Sequence, residues 1–161
     1  MPNGVADRGH SGPPPGRLPG RPSSPLSAEL IATVLTRRGH KVETDPAGEL
    51  VGRWADSLIW FLRLGTAGEL LQVRTVVAPT FAIEYVPALH AFCNAWNHDR
   101  LWPKAFVHVE DDGLARVCGE VITDLERGVT AHQLDRLLDR GITSGCQLAA
   151  EVARLPGGVR P

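Results

Sequence analysis

Apolar residues repeat at helical spacing near the start of the chain. The repeat comprises Leu26, Leu30, Ile31, Val34 and Leu35. This spacing predicts a helix over about residues 25–38. Ser24 suits its N-cap and Pro25 its first helical position, and Gly39 is the residue type that ends many helices.

Two later segments have the same period. The second repeat comprises Val86, Leu89, Phe92, Cys93 and Trp96. That helix closes near Asn97, and its start is less defined because Pro87 fits a first helical position better than an interior one. The third helix opens with Thr130 as N-cap and continues towards Pro156. The sequence therefore predicts three amphipathic helices: one near the start of the chain, one in the middle and one near the end.

Short apolar or alternating runs between these helices predict strands. The predicted strands are residues 49–54, 57–64, 70–77, 104–109 and 114–122. Residues 41–44 lead into a type I turn at 45–48. The run 57–64 is apolar on both faces apart from Arg63, as expected for a central strand. Because the links are of hairpin length, we expect antiparallel pairing. The order α-β-β-β-α-β-β-α predicts an α+β fold with one antiparallel sheet covered by helices.

Composition divides the chain of 161 residues into three parts. Residues 1–24 are rich in Pro and Gly and poor in large apolar side chains, so we expect a disordered tail. Residues 25–154 form the predicted domain, and 155–161 a flexible C-terminus. The net charge of −1 gives no reason to expect nucleic acid as a partner. With no apolar run near the length of a bilayer span and no signal-peptide pattern, we expect a cytoplasmic protein without membrane contact.

Residues 91–113 combine a thiol, imidazoles and amides, the components of a thiol-dependent hydrolase. Cys93 is the candidate nucleophile, with His90 or His98 as the base. Cys93, however, falls on the apolar stripe near the end of the second helix, where burial raises a thiol pKa, and helical phase turns neither imidazole clearly towards it. The hydrolase is therefore the alternative hypothesis, and the first expectation is that the protein is not an enzyme.

Other catalytic and metal-binding patterns are absent from the sequence. The histidines lack the spacing of metal-ligand pairs, and the three cysteines form neither a CxxC pair nor an even-numbered disulfide framework. Residues 110–112 are acidic but fall in a predicted exposed turn, and no phosphate-binding glycine loop occurs. We therefore predict no metal and no cofactor.

A structural role accounts for the same stretch more fully. Asn97 tolerates the backbone conformation that ends a helix, Asn94 can bond across the next turn, and Pro103 suits the first position of a strand. Asn94, Asn97 and Pro103 are therefore predicted to form a helix–strand corner, with Trp96 in the core and Trp102 over its edge.

At this corner the sequence resembles the YbjN domain family, whose fold is like that of type III secretion chaperones. The resemblance is carried by Asn94-Ala95-Trp96-Asn97 followed by Trp102-Pro103-Lys104-Ala105, with support from the 45–52 hairpin and the Gly128-Val129-Thr130 helix opening. It covers about residues 26–153. It implies a small, non-enzymatic, often dimeric domain that binds partner polypeptides and is tied to bacterial regulation or stress responses. It does not imply that the chain clamps client segments as secretion chaperones do, and it carries over no catalytic residue. Chaperone-like binding is nevertheless part of the functional expectation.

The functional expectation is thus a protein-binding regulatory domain of a bacterium. Excess aromatic residues suggest an apolar contact surface, and the predicted binding residues are Phe92, Trp96, Trp102 and Trp60. We expect a homodimer that recognises a protein segment. A further alternative is that the tail 1–24 is the active part of a purely structural domain.

Overall fold

The computed structural model describes residues 23–55 and 57–160. Its helices are α1 (Ala28–Arg37), α2 (Val86–Asp99) and α3 (Ala131–Val152), with a 3-10 turn at Ile83–Tyr85 before α2. Its strands are β1 (Val42–Thr44), β2 (Leu50–Trp54), β3 (Ser57–Leu64), β4 (Leu70–Phe81), β5 (Lys104–Val109) and β6 (Ala115–Asp124). They form one antiparallel sheet in the order β1-β2-β3-β4-β6-β5. The predicted α+β class is confirmed, but the predicted element order was one strand short, because the three-residue β1 pairs with β2 at the edge.

All three helices lie on the same face of the sheet. Alternate residues of a strand point to opposite faces, and Val73 and Thr75 of β4 lie against Gly141 and Gly145 of α3. A Cβ at Gly141 would come within 2.6 Å of the Val73 side chain. These two glycines therefore let the helix backbone approach the sheet more closely than any other residue type would.

No helix within residues 23–55 and 57–160 lies on the other face of the sheet, and we call it the open face. Its central rows follow from the strand register: Leu62, Gln72 and Ile122 in one, Trp60, Arg74, Glu120 and Lys104 in the next, and Leu58, Val76, Cys118 and Phe106 in a third. Ile122 is 51% exposed and Leu64, one row further, 38%. Among the described elements, none covers this side of a largely apolar sheet.

The start of α1 differs from the prediction. Its N-cap is Ser27, whose hydroxyl accepts a hydrogen bond from the Leu30 backbone at 3.1 Å. Ser24 instead pairs with Val129, each backbone N–H donating to the other's carbonyl at 3.1 and 2.9 Å. The predicted cap was therefore wrong, because the backbone of Ser24 is used in a bridge to the segment before α3.

Two other boundaries extend beyond their predictions. β4 continues past Pro79 to Phe81, and its pairing with β6 is irregular between Val76 and Thr80. A proline at such an irregularity removes no regular ladder bond, which explains why it does not end the strand. Pro87 is the second rather than the first residue of α2. The predicted N-cap Thr130 is confirmed, and Gln133 completes a capping box with it.

The core consists of two hydrophobic clusters on the helix-bearing face. The N-terminal cluster is built from α1, β2, β3, the first half of β4 and the first half of α3. The C-terminal cluster is built from α2, β5, β6, the end of β4 and the second half of α3. Only β4 and α3 contribute fully buried residues to both clusters among the described elements.

The described residues include only part of the two chain ends. Residues 1–22 of the predicted disordered tail lie outside the described residues, so that prediction stays a prediction. In the C-terminal segment 155–161, Val159 forms a bridge with Thr80 through two backbone hydrogen bonds of 2.9 Å. A Cβ on Gly158 would lie 3.1 Å from the Phe81 ring.

Candidate functional site

The corner between α2 and β5 is held by the side chain of Asn97. Its Nδ2 donates to the carbonyl of Ala105 at 2.8 Å, and its Oδ1 accepts from the N–H of Ala105 at 2.8 Å. β5 is an edge strand, so these bonds occupy a donor and an acceptor that would otherwise lack a strand partner. Asn97 is therefore a structural residue, but for a reason other than the predicted one: α2 continues to Asp99, and Asn97 does not end it.

Two more contacts fix the same corner. The indole Nε1 of Trp96 donates to the carbonyl of Pro103 at 2.9 Å, and Trp96 is 2% exposed. Pro103 packs on Gly119 of β6, where a Cβ would lie 2.8 Å from the proline ring. Asn94 is exposed on α2, and none of the contacts found in the described residues involves its side chain. The corner thus rests on Trp96, Asn97 and Pro103.

The outer side of the corner forms a groove against α3. Leu101 is 77% exposed and Trp102 is 39% exposed. The guanidinium of Arg140 lies over the Trp102 ring at 4.2 Å from its centroid, and that of Arg100 lies over Trp96 at 4.1 Å. We call this the corner groove. It has a volume of about 420 Å³ and is lined by Arg100, Leu101, Trp102, Asp139, Arg140, Thr143, Ser144 and Gln147.

Cys93 faces the core rather than a cleft. It is 3% exposed within the C-terminal cluster, and burial raises the pKa of its thiol to about 11. His90 and His98 are both exposed, and Nδ1 of His98 lies 2.9 Å from a carboxylate oxygen of Asp99. A thiol that is protonated at neutral pH and turned away from both imidazoles lacks what a nucleophile needs. These positions count against the thiol hydrolase.

The other titratable groups that the structure describes, within residues 23–55 and 57–160, include candidate metal ligands and nucleophiles. In the part of the chain that the structure describes, no three His, Cys, Asp or Glu side chains are grouped as a metal site. The other two thiols, Cys118 and Cys146, also have their pKa raised by burial.

A crevice between α1 and α3 has a volume of about 700 Å³. Arg38 lies in it, paired with Asp135 and, at 2.7 Å, with Asp139. The hydrogen bond from Arg38 lowers the pKa of Asp135. Two carboxylates neutralise Arg38 and join α1 to α3, and Arg37 and His132 line the same crevice.

The open face carries both apolar and charged side chains. Trp60 is half-buried there, and its Nε1 donates to Asp45 at 3.3 Å. The amide of Gln72 donates to Glu120 at 2.7 Å, and Arg74 lies 5.5 Å from the Phe106 ring centroid. The charged residues lie in the middle of the face and the apolar ones around them.

The four predicted binding residues are therefore dispersed. Phe92 is half-buried and packs against Trp96 within the C-terminal cluster. Trp96 presents no surface to a partner in this structure, Trp102 borders the corner groove, and Trp60 lies on the open face. The structure does not gather them into one site.

Several residues that shape these surfaces were not singled out from the sequence. Arg100, Leu101 and Arg140 line the corner groove, but Arg140 lies far along the chain on another element. Gly119 could have been found, because an isolated glycine within a predicted strand often marks a close approach of another chain segment.

Comparison with known proteins gives a family and a fold. Residues 27–154 match the model of the YbjN family, described as "Putative bacterial sensory transduction regulator". The structure is similar to a crystal structure described as "YbjN, a putative transcription regulator from E. coli", with a TM-score of 0.69 and 16% sequence identity over 84% of this chain and 100% of the other. No curated protein sequence matches.

None of the helices within residues 23–55 and 57–160 is both long and apolar enough to span a membrane.

Proposed function

The chain belongs to the YbjN family, and we propose that it is a non-enzymatic regulatory domain that works as a homodimer and binds a partner polypeptide. The family description supports the regulatory role. The position of Cys93 supports the absence of thiol catalysis. The cytoplasmic location and a chaperone-like mode of binding are part of the same proposal.

The open face is the observation that carries this proposal. A sheet with one face packed on helices leaves its second face to water unless a further layer covers it. Here that face exposes Leu64 and Ile122 by 38% and 51% and has half-buried Leu58, Trp60 and Leu62 beside them. Large contiguous apolar patches are rare on the surfaces of monomeric soluble proteins, and they commonly mark protein contact surfaces.

We propose a second copy of the chain as the occupant of the open face. Arg74 and Glu120 are register partners on neighbouring strands at its centre. A two-fold axis that lies in the interface, parallel to the strands and between β4 and β6, sets each copy's arginine against the other's glutamate, so the face is complementary to itself. At strand spacings of about 4.8 Å and rises of about 3.3 Å per residue, the sheet offers roughly 700 Å² per copy, close to the roughly 800 Å² per partner of a stable interface.

Sedimentation velocity tests the dimer. We expect a dimer at micromolar concentration, and we expect the double variant Leu62→Arg/Ile122→Arg to be a folded monomer. Leu101→Arg, on the corner groove, is the matched control and leaves the dimer intact. A wild-type protein that is strictly monomeric at 100 µM, or a double variant that still dimerises, contradicts a dimer through this face.

Partner binding is tested separately with an array of synthetic peptides that differ in charge and apolar content. Binding of a subset of these peptides to the folded protein with a reproducible sequence preference supports polypeptide recognition. The absence of binding to every peptide overturns it, whatever the oligomeric state.

A further inference from the structure

We propose that the corner groove binds an acidic peptide segment, with a Glu or Asp carboxylate held between Arg100 and Arg140 and a neighbouring apolar side chain on Leu101 and Trp102. This inference rests on the proposed polypeptide-binding function and names the chemistry of the partner. It assigns recognition to a surface distinct from the proposed dimer face.

The two arginines supply the first argument. Across residues 23–55 and 57–160, neither Arg100 nor Arg140 is paired with a carboxylate, whereas Arg38, Arg116 and Arg154 are. Each instead stacks on a tryptophan, at 4.1 and 4.2 Å from the ring centroids. Stacking fixes the plane of a guanidinium while leaving its edge N–H groups free, and that edge matches a carboxylate in a two-bond arrangement.

The single acidic residue of the groove does not cancel this charge. Asp139 lies on its rim, but its carboxylate accepts a hydrogen bond from Nη1 of Arg38 at 2.7 Å. Asp139 is therefore directed to the α1 side of α3. The groove keeps an excess of positive charge in a protein whose net charge is −1.

The apolar floor supplies the second argument. Leu101 is the most exposed large apolar side chain of the described residues at 77%, and Trp102 adjoins it at 39%. Both belong to a segment anchored rigidly by the Trp96 and Asn97 hydrogen bonds. An exposed leucine on an anchored corner is an ordered contact point, so binding there loses little conformational entropy.

The polar wall completes the match to a peptide. Thr143 and Gln147 are exposed on α3, one helical turn apart, and both line the groove. A hydroxyl and an amide at this spacing can donate to and accept from the backbone of an extended segment. The combination of paired cations, a leucine–indole floor and neutral hydrogen-bonding groups fits a peptide with mixed acidic and apolar residues better than it fits a nucleic acid, which needs a longer basic surface.

Fluorescence anisotropy with three labelled probes tests the inference. The first is a Gly-Ser-flanked peptide with alternating Glu and Leu, the second has Gln in place of each Glu, and the third is a single-stranded oligonucleotide of equal charge. We expect the Glu peptide to bind, the Gln peptide to bind about tenfold more weakly or worse, and the affinity for the Glu peptide to fall as salt is raised from about 0.05 to 0.5 M.

Variants then locate the site. Arg100→Gln and Arg140→Gln are each expected to weaken the Glu peptide about tenfold and the Gln peptide little. Arg127→Gln is the matched control, since Arg127 is almost fully exposed and lies outside the groove. Because Arg100 and Arg140 lie on the surface, circular dichroism is expected to show folded variants.

The outcomes separate this inference from the proposed function. Equal binding of Glu and Gln peptides, tighter binding of the oligonucleotide, or equal losses in Arg140→Gln and Arg127→Gln each overturn the acidic-peptide site. If neutral peptides of the array still bind under those results, polypeptide recognition stands. If no peptide binds at all, both fail.

Discussion

Asn97 of α2 pairs with Ala105 of β5 as a neighbouring strand residue would, through one donated and one accepted hydrogen bond of 2.8 Å each. The side-chain amide has the same donor and acceptor spacing as a peptide group, so it continues the hydrogen bonding of the sheet past its last strand. The helix–strand corner is thereby joined directly to the sheet edge.

Removal of this amide is expected to destabilise the fold. Asn97→Ala leaves the N–H and carbonyl of Ala105 without their partner, and we expect the free energy of unfolding to fall by about 2 kcal/mol. Urea denaturation followed by tryptophan fluorescence measures it. Asn94→Ala, an exposed asparagine on the same helix, is the control and is expected to change stability by less than about 0.5 kcal/mol. Equal losses in the two variants would contradict the role of the pairing.

Position 145 is expected not to accept a side chain, because Gly145 lies directly against Thr75. A Cβ at position 145 overlaps Oγ1 of Thr75, so Gly145→Ala should lower the free energy of unfolding by about 2 kcal/mol despite alanine's better helix propensity. The double variant Gly145→Ala/Thr75→Ala removes the overlapping hydroxyl and should recover part of the loss. Additive losses in the double-mutant cycle would show that this contact is not the cause.

Thiol reactivity is expected to follow burial. Since burial raises the pKa of Cys93 to about 11, its reaction with a disulfide reagent at pH 8 should be far slower than that of a free thiol. Cys146, which is only half-buried, should react first. Mass spectrometry of the labelled native protein identifies the site, and the urea-unfolded protein is the control in which all three thiols react. Rapid labelling of Cys93 below pH 8 would restore the thiol-hydrolase hypothesis.

Acid is expected to loosen the contact between α1 and α3. The pKa of Asp135 is lowered by its hydrogen bond with Arg38, so the folded state favours the ionised carboxylate. The stabilisation is complete above the ordinary Asp value of 3.8 and is lost as the pH falls below it, through the lowered folded-state pKa. Asp135→Asn should therefore lower the urea midpoint at pH 7, and the difference from wild type should shrink as the pH is lowered below 3.8. A constant difference between variant and wild type across this range would contradict the linkage.

Helices, strands and turns were predicted correctly where a single local sequence feature determined them. Thr130 at the N-cap of α3, the turn before β2 and the apolar run of β3 were each set by neighbours within a few residues. Their capping groups, turn residues and periodicity are local, so the tertiary structure had little to override.

The errors arose where a distant segment competed for the same residue. Ser24 has a side chain typical of an N-cap, but its backbone pairs with Val129 in a bridge. Pro79 was predicted to end a strand, because the sequence does not show that the β4–β6 pairing is irregular between Val76 and Thr80. The corner groove was likewise unpredictable, because Arg140 meets Trp102 only when α3 lies across the sheet. The position of Cys93 was not among these errors, because helical spacing had already placed it on the apolar stripe, and the structure buries it in the core.

The division of the core into two clusters has a consequence for how the domain would respond to a ligand. The clusters meet where Gly145 crosses Thr75, so little apolar surface bridges them. We therefore expect the two halves to open separately, each with a smaller free energy than global unfolding. Native-state hydrogen exchange would separate the two as distinct protection levels. A ligand at the corner groove, which contacts both α3 and the corner after α2, would stabilise the closed state against local and global opening by the same free energy, so occupancy would appear as higher protection without a change of shape.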